Sequence, residues 1–235
     1  MERSMLRHTF IGLVAAALLT GCATQTPTPT ITAVATTTLP PAEAGPTDAA
    51  SPEAVAAPAV VFRILADESE ARFLIDEILR GSPNTVVGVT SQVSGEILIQ
   101  PTAPGQSTLG PIQIDAATLV TDSRFRNGAI NNFVLQTGAF PLITFTPTSF
   151  DGLPQAVAPG DSLSFTVSGD LTIRDVTLPV TFDVTMSIES PTRLTGLARA
   201  TILRSDFGLT IPSVPQVAEV SDDITVEFQF AAAAP

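Results

Sequence analysis

The stretch VTLPVTFDVTMSIE, residues 176–189, alternates apolar and polar side chains along its whole length. Successive side chains of a β-strand point to opposite faces, so this stretch predicts a strand with one apolar face and one polar face. Half-polar strands exclude a parallel sheet that is buried on both sides and favour an antiparallel sheet. The apolar face must cover either other core side chains or a space that holds something other than protein.

Similar alternation recurs from residue 60 to the C-terminus, and we predict about eight strands. In residues 161–173, 193–203 and 222–230 every second residue is apolar or small. In residues 85–100 the side chains predicted to share one face are Val87, Val89, Val93, Gly95, Ile97 and Ile99. Residues 69–81 fit either a strand that runs into a turn or a short helix.

One segment has helical spacing instead. Between residues 121 and 138 the apolar residues are spaced by four, one, three and one, and they are Phe125, Ala129, Ile130, Phe133 and Val134. Thr121 or Asp122 can cap the start, and Gly138 can end the helix. Many strands, one helix and short turns together predict an all-β antiparallel sandwich or barrel.

The N-terminus has the layout of a bacterial lipoprotein signal peptide over residues 1–21. Arg3 and Arg7 precede an apolar run that is too short to cross a bilayer, and Leu19-Thr20-Gly21-Cys22 resembles a lipobox. We therefore expect cleavage before Cys22 and lipid attachment to that cysteine, which anchors the protein in a membrane. The alternative is an ordinary signal peptide with a chance cysteine.

The expected location is the cell envelope. Ala23, directly after the cysteine, resembles an outer-membrane address in a bacterium with two membranes. In a bacterium with one membrane, the protein would lie on the outer face of the cytoplasmic membrane.

Residues 22–58 are predicted to be a disordered tether rich in Thr, Pro and Ala, because they lack the large apolar side chains that offset the entropy of ordering. Fully extended at about 3.1 Å per residue, such a tether reaches on the order of 100 Å. Residues 59–231 remain as the folded domain.

Composition excludes several kinds of function. His8 and Cys22 are the only histidine and cysteine, so the mature chain would lack Ser-His-Asp and Cys-His catalytic sites and zinc sites that use these residues. Asp206, Asp222 and Asp223 are interpreted as solvated loop residues rather than as catalytic or calcium-binding carboxylates. With 11 basic and 23 acidic residues, no nucleic-acid surface is expected. We therefore expect no enzyme, no metal and no cofactor.

Four stretches carry a family resemblance. They are Val93-Ser94-Gly95-Glu96-Ile97, the segment GDLTIRDVTLPV at 169–180, Arg204-Ser205-Asp206-Phe207-Gly208-Leu209, and Arg126-Asn127 leading to FPLITF at 140–145. Together they resemble the YceI-like family of secreted polyisoprenoid-binding proteins over roughly residues 60–230. The departures are Asp175 where the family has Gly, Asn127 for Asp, and Ala129-Ile130 for His-Leu. The resemblance implies an eight-stranded lipocalin-like barrel with one inserted helix.

The resemblance also implies a lipid inside the barrel, as the only ligand and with no other cofactor. Candidate ligand-binding residues on the strands are Phe145, Phe165, Val167, Phe182, Val184, Met186 and Phe228. On the helix they are Phe125, Arg126, Ile130 and Phe133, which we expect to lie against the barrel. Small residues Gly196, Ala198 and Ala200 could either let the core fill completely or leave a tunnel.

Four arginines are candidates for contacting a lipid head group or pyrophosphate at the barrel mouth, namely Arg124, Arg126, Arg174 and Arg204. The alternative is that they form salt bridges with the abundant acids. Arg126 is favoured for the ligand role because of its place on the helix.

The expected function is that of an extracytoplasmic, lipid-anchored protein that sequesters or carries an isoprenoid or a similar amphiphilic lipid. Its partners are then the lipid and the membrane, with a homodimer as a further option if exposed strand edges pair. The alternative is a ligand-free structural or adhesion domain displayed on a stalk.

Overall fold

The computed structural model describes residues 57–235, so the predicted signal peptide, Cys22 and nearly all of the predicted tether lie outside it. The strands are β1 (Val60–Ile64), β2 (Glu70–Leu79), β3 (Ser82–Thr90), β4 (Val93–Ser94), β5 (Glu96–Ile99), β6 (Thr108–Leu109), β7 (Ile112–Asp115), β8 (Leu142–Asp151), β9 (Ser162–Ile173), β10 (Val176–Ser190), β11 (Arg193–Leu203) and β12 (Val217–Ala233). The helix α1 (Arg124–Ala129) continues as a π-helical turn, Ile130–Val134.

The strand pairings join eight runs of chain into a closed antiparallel ring. Five runs are the single strands β8 to β12, and the other three are β1–β2, β3–β4–β5 and β6–β7. Strand β12 closes the ring because it pairs with β11 on one side and with β1 and β2 on the other. The predicted antiparallel barrel with one inserted helix is confirmed. It has twelve strands where eight were predicted, because three of the runs are interrupted.

The alternation that predicted β10 is present in the structure. Val184, Met186 and Ile188 are buried, whereas Asp183 and Thr185, on either side of Val184, are exposed. The neighbouring strands β9 and β11 alternate in the same way, so the inward faces of all three strands form one apolar wall.

The predicted common face of residues 85–100 is wrong at its start. Val86 is buried and Val87 is exposed, whereas Val93 and Ile99 are buried as predicted. The interruption at residues 91 and 92 changes the inward positions from even to odd numbers. A shift of one residue moves every side chain of a strand to the other face, so a single pattern could not describe both halves.

The segment that the sequence left undecided is strand β2. Its inward residues include Ala71 and Ile75, and also Glu77, a carboxylate on the apolar side of the sheet. In the part of the chain that the structure describes, no helix is long and apolar enough to cross a membrane.

The barrel has two different ends. At the loop end, residues 100–107 and 152–161 connect the strands, and Val157 donates a backbone hydrogen bond of 2.9 Å to the carbonyl of Pro101. At the helix end lie α1, its π-helical turn and the β11–β12 connection, residues 204–216. Four buried side chains pack this end, namely Ile130, Leu135, Phe207 and Leu209.

Candidate functional site

The inward side chains leave a cavity of about 190 Å³ inside the barrel. Its lining is almost wholly apolar. Seven of the predicted ligand-binding residues line it, and they are Phe145, Phe165, Val167, Phe182, Val184, Met186 and Phe228. The structure thus brings together all the candidates that the strand patterns supplied.

Small residues on β11 make room for this cavity. Ala198 pairs with Val184 on one side and with Phe228 on the other, so a methyl group lies between two larger side chains. The ring of Phe145 meets that of Phe182 edge-on at 4.9 Å, and Phe228 stacks on Phe230 at 5.6 Å. Aromatic rings therefore form the walls around the gap that the small residues leave.

The cavity is elongated and reaches the loop end. Along β9 it is lined from Leu163 to Ile173, which at about 3.3 Å per residue is roughly 30 Å of strand. Leu153 and Val157 of one connection and Pro104 of the other also line it. The lining does not include the four buried side chains that pack the helix end. The shape suits a long, thin apolar molecule.

The expected position of the helix residues against the barrel is wrong for both phenylalanines. Phe125 is 96% exposed and Phe133 is 64% exposed, while Ile130 is buried but does not line the cavity. For Phe133 the reason is that the prediction assumed a period of 3.6 residues, whereas the second half of the segment is π-helical. The backbone N–H of Leu135 donates to the carbonyl of Ile130, so residues five apart share the buried face.

Arg126 forms ion pairs within the protein. Its guanidinium donates to the carboxylate of Glu77 at 3.0 Å and also to that of Asp122. The Glu77 side chain, only 6% exposed, accepts a second hydrogen bond of 2.9 Å from the amide of Asn84. A buried carboxylate needs such partners. These contacts attach the helix to the barrel and favour the salt-bridge interpretation of Arg126.

Arg174 and Arg204 also make contacts within the helix end. Arg174 donates to the carbonyls of Val134 at 3.3 Å and Gly208 at 3.4 Å. Arg204 donates to the carbonyl of Leu209 at 2.8 Å. Both side chains therefore stabilise the β11–β12 connection, which contains the RSDFGL motif. Arg124 is exposed on α1.

Asp222 holds the other side of the same connection. Its carboxylate accepts hydrogen bonds from the backbone N–H of Ser205 at 2.9 Å and from the Ser205 hydroxyl at 2.5 Å. The hydroxyl bond is the main cause that lowers the pKa of Asp222 below its usual value. The carboxylate thus has a structural role in this loop.

At the loop end, Arg193 bridges two carboxylates. It lies 2.5 Å from Glu68 and 2.8 Å from Glu189. The hydrogen bond from Arg193 lowers the pKa of Glu68, and the same bond raises the pKa of Arg193. Within residues 57–235, no group of three or more Asp, Glu, His or Cys side chains is arranged to hold a metal ion.

Sequence reasoning missed two parts of the site. The loop residues Pro104, Leu153 and Val157 carry no periodic signal, because turns have no fixed inward face. Glu77 could have been found only if residues 69–81 had been assigned to a strand, since its odd number then places it with Ala71 and Ile75.

Comparison with known proteins gives one family and several related folds. Residues 62–232 match the family model of the YceI-like domain. The crystal structure of Burkholderia cenocepacia BcnA matches with a TM-score of 0.59 and 19% identity, covering 72% of this chain and 99% of that chain. A polyisoprenoid binding domain from Saccharophagus degradans, implicated in plant cell wall breakdown, matches with a TM-score of 0.59 and 20% identity, covering 75% and 99%. Among curated proteins, none matches this sequence significantly.

Proposed function

The chain belongs to the YceI-like domain family, and from that membership we propose that its barrel binds an isoprenoid or a similar amphiphilic lipid. The protein sequesters or carries this lipid without covalent chemistry. The observation that supports the proposal most directly is the elongated apolar cavity of about 190 Å³. The polyisoprenoid binding domain from Saccharophagus degradans, which shares the fold, adds support for this ligand class.

The driving force is burial of hydrocarbon. Each methylene transferred from water into the barrel contributes about 0.8 kcal/mol, so an isoprene unit contributes roughly 3 to 4 kcal/mol before ordering costs are subtracted. Burial of a few isoprene units is sufficient for tight binding, so the cavity wall needs no polar contact with the ligand.

The proposal includes a membrane anchor within the cell envelope. Acylation of Cys22 would hold the protein at a membrane, and residues 22–58 would let the barrel move away from the surface. The anchor would sit in the outer membrane, on its periplasmic or surface side, or in the outer face of the cytoplasmic membrane. Such a protein could collect lipids near the membrane that holds it.

Native mass spectrometry of the full mature chain tests the lipid proposal. We expect the protein as isolated, or after incubation with a prenyl alcohol, to carry an added mass that denaturation removes. In Ala198→Phe the new ring fills the space between Val184 and Phe228, so the added mass should be lost.

The matched control is Leu197→Phe on the outward face of the same strand, which should bind as the wild type does. Thermal unfolding checks that both variants are folded. If wild-type protein takes up no prenyl lipid after delipidation, the ligand-free adhesion domain becomes the better proposal.

A further inference from the structure

The cavity wall offers nothing to neutralise a charge. Among its lining residues only Arg72 and Glu227 are ionisable, and both occupy outward register positions of their strands. Glu227 accepts from Arg199 at 2.6 Å, and Arg72 lies 2.6 Å from Glu70. Both charges are thus paired with side chains of the outward face, where the Glu227 carboxylate is only 6% exposed and the Nε atom of Arg72 has no hydrogen-bond partner. An ion placed in the lumen would lose its water without gaining a partner, which is costly.

The loop end, whose connections contribute Pro104, Leu153 and Val157 to the cavity lining, is acidic. Arg63 and Arg193 are the arginines of the strands that meet there, and each is paired with glutamate, Arg63 with Glu96 at 3.0 Å. Asp161 lies in the connection that lines the cavity, where its carboxylate accepts from the backbone N–H of Ala158 at 2.8 Å. An anion at the loop end would be repelled by these carboxylates. The two arginines beside them could not compensate, because each is already paired with glutamate.

The arginines that could attract an anion are at the other end. Of the nine arginines from residue 57 onward, Arg80, Arg124, Arg126, Arg174 and Arg204 all lie in or beside connections of the helix end. Four buried side chains that pack that end, namely Ile130, Leu135, Phe207 and Leu209, do not line the cavity, whereas Ile173 does. The residues from 22 to 56 contain no basic side chain that could reach the loop end instead.

We propose that the ligand carries an uncharged polar end, such as an alcohol or a carbonyl group, and that the barrel discriminates against prenyl phosphates. The ligand enters tail first, and its polar end stays at the loop end near Ser107 and Thr108, whose hydroxyl groups can hydrogen-bond to it. This inference rests on the proposed lipid binding and narrows the class of lipid.

The test compares a prenyl alcohol with its phosphate ester of the same chain length, each bound to the delipidated mature chain. We expect the phosphate to bind at least about tenfold more weakly, and we expect the difference to shrink as salt screens the acids. Phosphate binding that equals or exceeds alcohol binding would overturn the inference while leaving lipid binding intact. Failure of both compounds to bind would instead count against the proposed function.

A pair of variants tests the charge argument separately. Asp161→Asn keeps an oxygen that can accept from Ala158 but removes a negative charge at the loop end, so it should strengthen phosphate binding and leave alcohol binding unchanged. Asp175→Asn removes a negative charge from the β9–β10 turn at the helix end, so it should change neither phosphate binding nor alcohol binding. Unchanged phosphate affinity in Asp161→Asn would contradict the role assigned to the acidic opening.

Discussion

At the scale of single residues, the family-like motifs have physical explanations. A Cβ atom at Gly169 would lie 2.5 Å from the carbonyl oxygen of Thr146 and 2.8 Å from the Cα of Pro147. Glycine therefore lets β8 and β9 approach closely where β8 is irregular. Asp175 replaces the family's Gly without strain, because the left-handed residue of that turn is Arg174, with φ 58°.

Gly169→Ala should therefore destabilise the domain. The new methyl group meets backbone atoms that cannot move away easily, so we expect a loss of about 1–3 kcal/mol in the free energy of unfolding. Urea denaturation measures it. Gly138→Ala is the control, since a Cβ added there would meet no heavy atom within 4 Å and its φ is ordinary. Equal stability of the two variants would show that the strands separate readily.

At the scale of elements, the sequence predicted regular strands well and interruptions poorly. Strands β9, β10 and β11 keep one period throughout, so their inward residues could be read directly. The break at residues 91 and 92 and the π-helical turn at Ile130–Val134 both change the period within a segment. A pattern with one period does not contain such a change, and Val87 and Phe133 were misplaced for that reason.

The helix segment should depend on its ion pair with the barrel. Glu77→Ala leaves the guanidinium of Arg126 without its buried partner, so we expect a loss of about 1–3 kcal/mol in stability. A double-mutant cycle with Arg126→Ala isolates the coupling between the two side chains. Amide hydrogen exchange should show faster exchange first in residues 124–134. Additive effects of the two substitutions would mean that other contacts hold the helix.

At the scale of the whole molecule, the proposal joins a barrel, a tether and a lipid anchor in one protein. Of these three parts, the structure describes the barrel. The barrel's fold and its seven lumen residues on the strands followed from alternation and from the family resemblance. Alternation alone did not decide whether a cavity exists, because it is the same in a filled core and in a hollow one, and only the resemblance favoured a cavity. The homodimer and the membrane location stay predictions.

The anchor has a direct test in cell fractionation. Cys22→Ser removes the thiol that lipid attachment requires, so the protein should move from the membrane fraction to the soluble fraction. Ala23→Ser keeps the cysteine and should leave the protein with the membranes. A Cys22→Ser protein that still sediments with membranes, after a high-salt wash, would contradict the anchor.

The closing role of β12 has a consequence for how the domain is made. β12 pairs with β1 and β2, which come first in the sequence of the domain, and with β11, which directly precedes it. The closed barrel and its cavity therefore do not exist until β12 has been synthesised. A nascent chain that lacks β12 has an open sheet and is not expected to retain a ligand. We therefore expect a ligand to be loaded only after β12 has been synthesised and paired.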